Sequence, residues 1–313
     1  MASILPKLRE LQRAKGVLPK KPAKKDRVGF VFSTKERTDF TKRTLASLDR
    51  DKGYDILWMD GSDTETARRL PKIYRFKNVK LKEYHLDIRG GPDKTIQFGL
   101  ERLLELGYDW CGLIENDILF KKGWFAKLMN LFRLSAKEGI AAGAGTVRNL
   151  ESRVLEYRKG YTVNWNIGAG MILFTREAAQ LLVKNYPPIA TAFGLYKFWA
   201  EHFGLDLSQA KELWFGKPNR ALSSDFNYET VLYSNGFSAI GSMPAFVAGE
   251  LEQGVNPQER GTKYVSGKKQ GLLYPTITSK KLLRIRLVSP FLTFMLILFR
   301  NAPWLKRLVR RFL

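Results

Sequence analysis

A chain of 313 residues, 44% hydrophobic and 12% aromatic, can bury a substantial core, which excludes an extended or disordered protein. Its only cysteine, Cys111, excludes an internal disulfide and fits a reducing cytosol. The net charge of +23 sits mainly at the ends, with +7 in residues 1–27, +9 in residues 280–313 and +7 between them; no zinc-ligand spacing, aromatic RNA-binding signature or helix-turn-helix accompanies it, which argues against a duplex binder and for attachment to an anionic membrane surface.

Residues 1–27 read as a basic amphipathic segment and linker. Ile4, Leu5, Leu8 and Leu11 fall on one helical stripe, and Lys7, Arg9, Arg13 and Lys15 lie on other faces. The segment lacks the apolar stretch and cleavage pattern of a secretory signal. The folded domain is predicted over residues 28–279. Val28–Phe32 is an apolar run suited to a buried strand, and Asp39–Leu48 reads as a helix with Asp39 at its N-cap. Asp55–Met59 predicts a second strand ending in Asp60-Gly61-Ser62-Asp63, and a third is expected near Val79–Glu83. Lys94–Leu106 reads as a helix, and Trp110–Ile114 as a strand ending in Glu115-Asn116-Asp117. This alternation predicts an α/β layered domain with a mainly parallel central sheet. Ligands gather at the carboxyl ends of such strands, and three successive ends here are polar or acidic.

The second half is less regular. Asn164-Trp165-Asn166 leads through Gly168 and Gly170 into the apolar run Met171–Phe174, and Thr175 can cap a helix reaching Val183. Residues 187–222 are expected to form a helical insert or lid. Ser223-Ser224-Asp225 precedes a helix to about Ser234, closed by Asn235-Gly236. Residues 280–313 form a basic tail. Leu287–Phe299 has 13 residues, shorter than the roughly 20 a spanning helix needs. The stripe Trp304, Leu305, Leu308, Val309 and Phe312 opposite Lys306, Arg307, Arg310 and Arg311 suits a helix lying in a membrane interface, with packing on the domain or on a partner as the alternative.

Four motifs occur in one order: Ser33-Thr34-Lys35-Glu36-Arg37, Trp58-Met59-Asp60-Gly61-Ser62-Asp63, Gly90-Gly91-Pro92 with Gln97-Phe98-Gly99-Leu100, and Leu113-Ile114-Glu115-Asn116-Asp117. Over residues 28–255 this order resembles family 2 glycosyltransferases of the GT-A fold, a Rossmann-type layered domain. The resemblance implies an inverting transfer of a sugar from a nucleotide-diphosphate sugar to a hydroxyl acceptor. Asp60 would accept hydrogen bonds from the base or ribose, helped by Asp63, with Ser33, Thr34 and Arg37 along the nucleotide and its phosphates. Asp117 would be the metal ligand for Mn2+ or Mg2+, and Glu115 would ligate or touch the sugar. Asn116 replaces the middle acid of the family's Asp-X-Asp turn. Ile96-Gln97 stand where the family often carries Arg-Asn, which shifts the cationic contact to Lys94 or Arg89. Asp225 matches the family's general base, with Glu229 as the fallback. Trp165 could face the sugar or acceptor, or be a core residue beside a turn. The family's late metal-binding His is absent from Phe246–Asn256, where Glu250 could substitute. The partners implied are a UDP-linked donor, a glycan or lipid-linked acceptor and an anionic membrane, with no nucleic acid, at the cytoplasmic membrane face. A nucleic-acid-binding α/β protein and a nucleotidyltransferase are the competing classes.

Overall fold

The computed structural model describes residues 4–88, 91–148, 154–168, 170–185, 190–204, 221–222 and 228–250. Asp225, Arg89 and the tail from residue 280 lie outside them. In chain order the elements are α1 (Leu5–Ala14), β1 (Val28–Thr34), α2 (Thr38–Leu48), β2 (Asp55–Asp60), α3 (Glu65–Ile73), β3 (Lys80–His85), α4 (Gly91–Glu105), β4 (Trp110–Glu115), β5 (Ile118–Phe120) and α5 (Trp124–Lys137). There follow β6 (Ala142–Thr146), β7 (Val154–Arg158), β8 (Tyr161–Asn164), β9 (Met171–Thr175), α6 (Arg176–Lys184), β10 (Ala190–Thr191), α7 (Ala192–Phe203), β11 (Ala221–Leu222), α8 (Tyr228–Ser234), β12 (Ser238–Ser242) and β13 (Val247–Glu250).

The central sheet has nine strands in the order β3-β2-β1-β4-β9-β6-β12-β8-β7. Seven of them point the same way, and only β8 and β9 run against the rest. The predicted mainly parallel α/β sheet is therefore present, with a reversed strand at its middle. Helices cover both faces, as a parallel sheet buried on two sides requires. One face carries α2, α3 and α5, where Phe30, Tyr54 and Trp124 pack edge to face with ring centroids 5.2–5.6 Å apart and Phe120 lies tilted against Trp124 at 4.5 Å. The other face carries α4, α6 and α8. Trp199 of α7 packs on Tyr233 of α8 at 4.8 Å.

Local sequence explains the boundaries. Thr175 Oγ1 accepts from the Ala178 N–H at 3.2 Å and caps α6 as its sequence predicts. At the end of α8, Gly236 at φ +83° lets its N–H reach the Tyr233 carbonyl and the Phe237 N–H reach Leu232, a Schellman closure. The start of α2 differs from the expectation. Its N-cap is Arg37 in the left-handed region, and Asp39 lies in the first turn, because Glu36 and Arg37 both turn left-handed before the helix begins.

The N-terminal amphipathic helix is present as α1, and its apolar stripe is turned onto the domain. Ile4, Leu5 and Leu8 are buried in the common core. Arg9 Nη2 donates to the Glu138 carbonyl at 2.9 Å, and a Cβ at Gly236 would lie 3.3 Å from Gln12 Cα. The following segment crosses the amino ends of the strands, where Asp26 accepts from Trp110 Nε1 at 2.9 Å and Asp109 accepts from the Arg27 N–H at 2.8 Å. Among the described residues no helix is long and apolar enough to cross a membrane.

Gly112, in the middle of β4, has no room for a side chain: a Cβ would fall inside contact with the Phe30 ring and 3.0 Å from the Ile172 carbonyl. We expect Gly112→Ala to destabilise the protein by about 1–3 kcal/mol, the usual cost of overpacking, read as a lower urea midpoint at unchanged m-value.

Candidate active site

The parallel strands bring three polar turns to one edge of the sheet. Thr34 pairs with Asp60 in the β1–β2 register, and Ser33 pairs with Glu115 in the β1–β4 register. The ends of β1, β2 and β4 are thus level, which is the geometry that sites at carboxyl strand ends need.

Asp60 is the buried centre of this edge, only 1% exposed. Its Oδ1 accepts from Thr34 Oγ1 at 2.6 Å and from Ser62 Oγ at 2.7 Å. Both hydroxyls are fixed by a second bond. Thr34 Oγ1 accepts from Trp58 Nε1 at 2.9 Å, and Ser62 Oγ accepts from the Glu36 N–H at 2.7 Å. Each hydroxyl therefore has its proton committed to Asp60. Asp60 Oδ2 is buried and has no hydrogen-bond partner among the described residues. A carboxylate oxygen left so needs an explanation, and a ligand's N–H or O–H would supply one.

Glu36 ties the β1 loop to the β2 loop. Its Oε1 accepts from the Asp63 and Thr64 N–H groups at 2.6 and 3.0 Å, and Oε2 accepts from the Thr64 hydroxyl. The carboxylate thus serves the amino end of α3, where Thr64 itself makes no side-chain cap. Burial raises the Glu36 pKa, but the bonds from Thr64 and Asp63 outweigh it and hold the group below its ordinary value. The loop that follows β3 closes over the β2 turn. The Ile88 N–H donates to the Asp60 carbonyl at 3.1 Å, and a Cβ at Gly61 would sit 2.8 Å from the Ile88 carbonyl oxygen.

The turn after β4 is anchored on two sides. Asn116 Nδ2 donates to Thr41 Oγ1 at 2.9 Å, and the Glu115 N–H donates to the Gly170 carbonyl at 3.0 Å. Asp117 is buried, with Arg37 Nη1 3.8 Å from its Oδ2. Glu250 is opposite Ile118 in the β13–β5 register, one residue from Asp117. Among the described residues no group of three or more His, Cys, Asp or Glu side chains could hold a metal ion.

Ser33, Thr34, Arg37, Asp60, Asp63, Glu115, Asn116 and Asp117 therefore lie along one edge. Lys94 is exposed in the first turn of α4, with Nζ 3.4 Å from Gln97 Oε1. Trp165 is 2% exposed and belongs to the core. Its neighbours Asn166 and Ile167 donate to Glu229 at 3.0 and 2.8 Å. Glu229 is thus a buried clamp between α8 and this loop.

Arg148 stands in none of the sequence motifs but lies at this edge. It follows β6, is only 9% exposed, and its Nη1 would be 3.0 Å from a Cβ at Gly170, the residue whose carbonyl holds Glu115. The signal was weak because β6 itself, Ala-Gly-Ala-Gly-Thr, does not read as a strand.

No family model matches the chain, and no curated protein matches its sequence. Among solved structures it is similar to the mannosyltransferase PcManGT from Pyrobaculum calidifontis in complex with GDP-Man and Mn2+, at 13% identity and a TM-score of 0.36, over 69% of this chain and 65% of that one. It is also similar to TarS of S. aureus, at 11% identity and a TM-score of 0.41, over 69% of this chain and 36% of that one. The chain thus spans just under two thirds of the first protein and about a third of the second.

Because the Glu36 pKa is lowered on folding, its contribution to stability is complete above the ordinary value of 4.5 and fades as pH falls through the lower folded value. Glu36→Gln should lower the melting temperature at pH 7 by about 3–10 °C. The gap to wild type should narrow below pH 4.5; a constant gap in melts from pH 7 to pH 3 would show that the carboxylate's charge is not what holds the loops.

Proposed function

We propose that the chain is an inverting glycosyltransferase that moves a sugar from a nucleoside diphosphate sugar, taken as UDP-linked, to a hydroxyl on a glycan or lipid-linked acceptor. The observation that carries this reading is Asp60: a buried carboxylate at the carboxyl edge with one oxygen accepting hydrogen bonds from two fixed hydroxyls and the other without a partner among the described residues. A base N–H or a ribose hydroxyl would complete it. Ser33, Thr34 and Asp63 would flank the nucleoside.

Arg37 and Asp117 face one another where the diphosphate would follow. A planar guanidinium suits two phosphate oxygens, so Arg37 would exchange its long contact with Asp117 for the diphosphate. Asp117 would then hold a hard divalent cation, which neutralises the leaving diphosphate when bound. One or two carboxylates completed by phosphate oxygens is an ordinary donor set for Mg2+, and Asp117 would supply one of them. Glu250, opposite Ile118 in the β13–β5 register, would be the second carboxylate. Asn116 holds the turn against α2 through Thr41, while Glu115 would face the sugar and Lys94 the outer phosphate side.

In the transfer, the acceptor oxygen bonds to the anomeric carbon as the bond from that carbon to the phosphate oxygen breaks. The acceptor's proton goes to a base, and the nucleoside diphosphate leaves. Asp225 is the base implied by the resemblance. The enzyme would work as a peripheral protein at the cytoplasmic membrane face, with the tail of residues 280–313 as one attachment.

A thermal-shift screen of nucleoside diphosphates and nucleotide sugars, with and without manganese, tests the donor site. A nucleotide present at about a hundred times its dissociation constant should raise the melting temperature by roughly 5–10 °C. Asp60→Asn should weaken nucleotide binding about 10–100-fold, the value of a hydrogen bond to a charged group. Asp117→Ala should remove the manganese contribution and the transfer. Asp225→Asn should bind donor normally and transfer nothing. Incorporation of a nucleoside monophosphate, in place of release of a nucleoside diphosphate, would overturn the reaction class.

A further inference from the structure

The charge of the folded body is concentrated in one place. Residues 66–82 carry seven Lys/Arg and no acid, a net of +7 that equals the whole excess of residues 28–279. The stretch runs from α3 through the connection into β3, the edge strand of the sheet. Two of the seven are paired: Arg68 with Asp87 at 2.8 Å, and Arg69 with Glu65 at 2.7 Å. The other five, Lys72, Arg75, Lys77, Lys80 and Lys82, are exposed and make no ion pair among the described residues.

The strand sorts its side chains by face. Lys80, Lys82 and Tyr84 are exposed, while Leu81, Glu83 and His85 alternate with them and are half-buried. Glu83 takes two bonds from Arg102 of α4, at 2.9 Å each. Glu83 is therefore committed to Arg102, and Asp49, the acid beside Lys77, accepts from the backbone N–H groups of Lys77, Asn78 and Val79. Among the cations stand two exposed apolar side chains, Ile73 at 63% and Tyr84 at 43%. Five exposed like charges that make no ion pair among the described residues repel one another and favour an external anionic partner.

Isolated lysines would suit any polyanion. Ile73 narrows the choice, because an aliphatic side chain gains nothing against a phosphate backbone and does gain from an acyl boundary. Tyr at a bilayer interface and Lys or Arg stems that reach toward headgroups complete the same pattern. We propose that the exposed face of α3 and β3 docks on a bilayer surface of anionic phospholipid headgroups, with Ile73 entering the interface. The proposal concerns the folded domain, does not use the tail, and stands whether or not the chain transfers sugars.

The test exploits the buried Cys111, whose thiol is shielded in the native protein. Ile73→Cys in the full chain is labelled with a polarity-sensitive fluorophore, and so, as a control, is Tyr157→Cys on β7, the opposite edge strand. Vesicles of phosphatidylcholine with phosphatidylglycerol should shift the Ile73-site emission to the blue. The Tyr157 site should not respond, nor should either site with phosphatidylcholine alone, and 1 M salt, where screening acts within about 3 Å, should reverse the shift. The variant Arg75→Glu/Lys77→Glu/Lys80→Glu should keep its melting temperature and lose vesicle partition by on the order of a hundredfold, about fivefold per cation. Bound protein with a silent Ile73 site, unchanged partition of the triple variant, or a response to duplex nucleic acid in place of vesicles would each overturn the proposal.

Discussion

Two loops that follow adjacent parallel strands cannot be joined by a tight turn, so something else must fix one against the other. Here that task falls to Glu36. Its backbone, like that of Arg37, sits in the left-handed region, at a cost of about 1–3 kcal/mol for each such residue. The offset comes from its own bonds: the N–H goes to Ser62, and the carboxylate gathers Asp63 and Thr64. Ser62 in turn reaches Asp60, and Asp60 reaches Thr34 back on the first loop. The circuit closes through Trp58, itself wedged against Phe32 at 5.3 Å. The strained backbone also has an effect beyond the circuit, because it aims Arg37 across the edge toward Asp117.

The reversed strand β9 matters for the same edge. Running against β4 and β6, it presents its first residues where its neighbours present their last. Gly170 can therefore accept the Glu115 N–H, and Arg148 from the end of β6 lies against it. A wholly parallel sheet would put the start of that strand at the far side. The second half of the chain thus reaches a site whose named residues come almost entirely from the first.

What the sequence revealed and what it hid divide along side-chain size. β1, β2 and β4 are legible because large apolar residues run directly into Ser, Asp or Glu, marking both strand and edge. β6 is hidden by its own packing. A Cβ at Gly143 would lie 2.7 Å from Phe237, and one at Gly145 would lie 2.8 Å from the Phe132 ring, so the strand is built from residues that carry no strand signal. Strand direction is invisible to periodicity, which is why the reversal of β9 has no trace in the apolar run Met171–Phe174. Trp165 shows a similar limit: next to two asparagines it reads equally as pocket or core, and burial settles it as core. Amphipathicity is silent about what covers the stripe, so the apolar side of α1 is consistent with a bilayer until Leu5 and Leu8 are seen inside the domain.

That placement of α1 gives it a particular history in synthesis. It packs beside Glu138 and Gly236, so the residues it docks on are made long after it. At ribosomal rates the interval to Gly236 is on the order of tens of seconds. Throughout it Leu5 and Leu8 have no domain to enter, and an isolated helix of 10 residues is marginal in water. The +7 charge of residues 1–27 then has a use that needs no membrane: it keeps an uncovered apolar segment soluble and repels its copies on neighbouring nascent chains. Docking of α1 against Gly236 accordingly waits until that residue has been made.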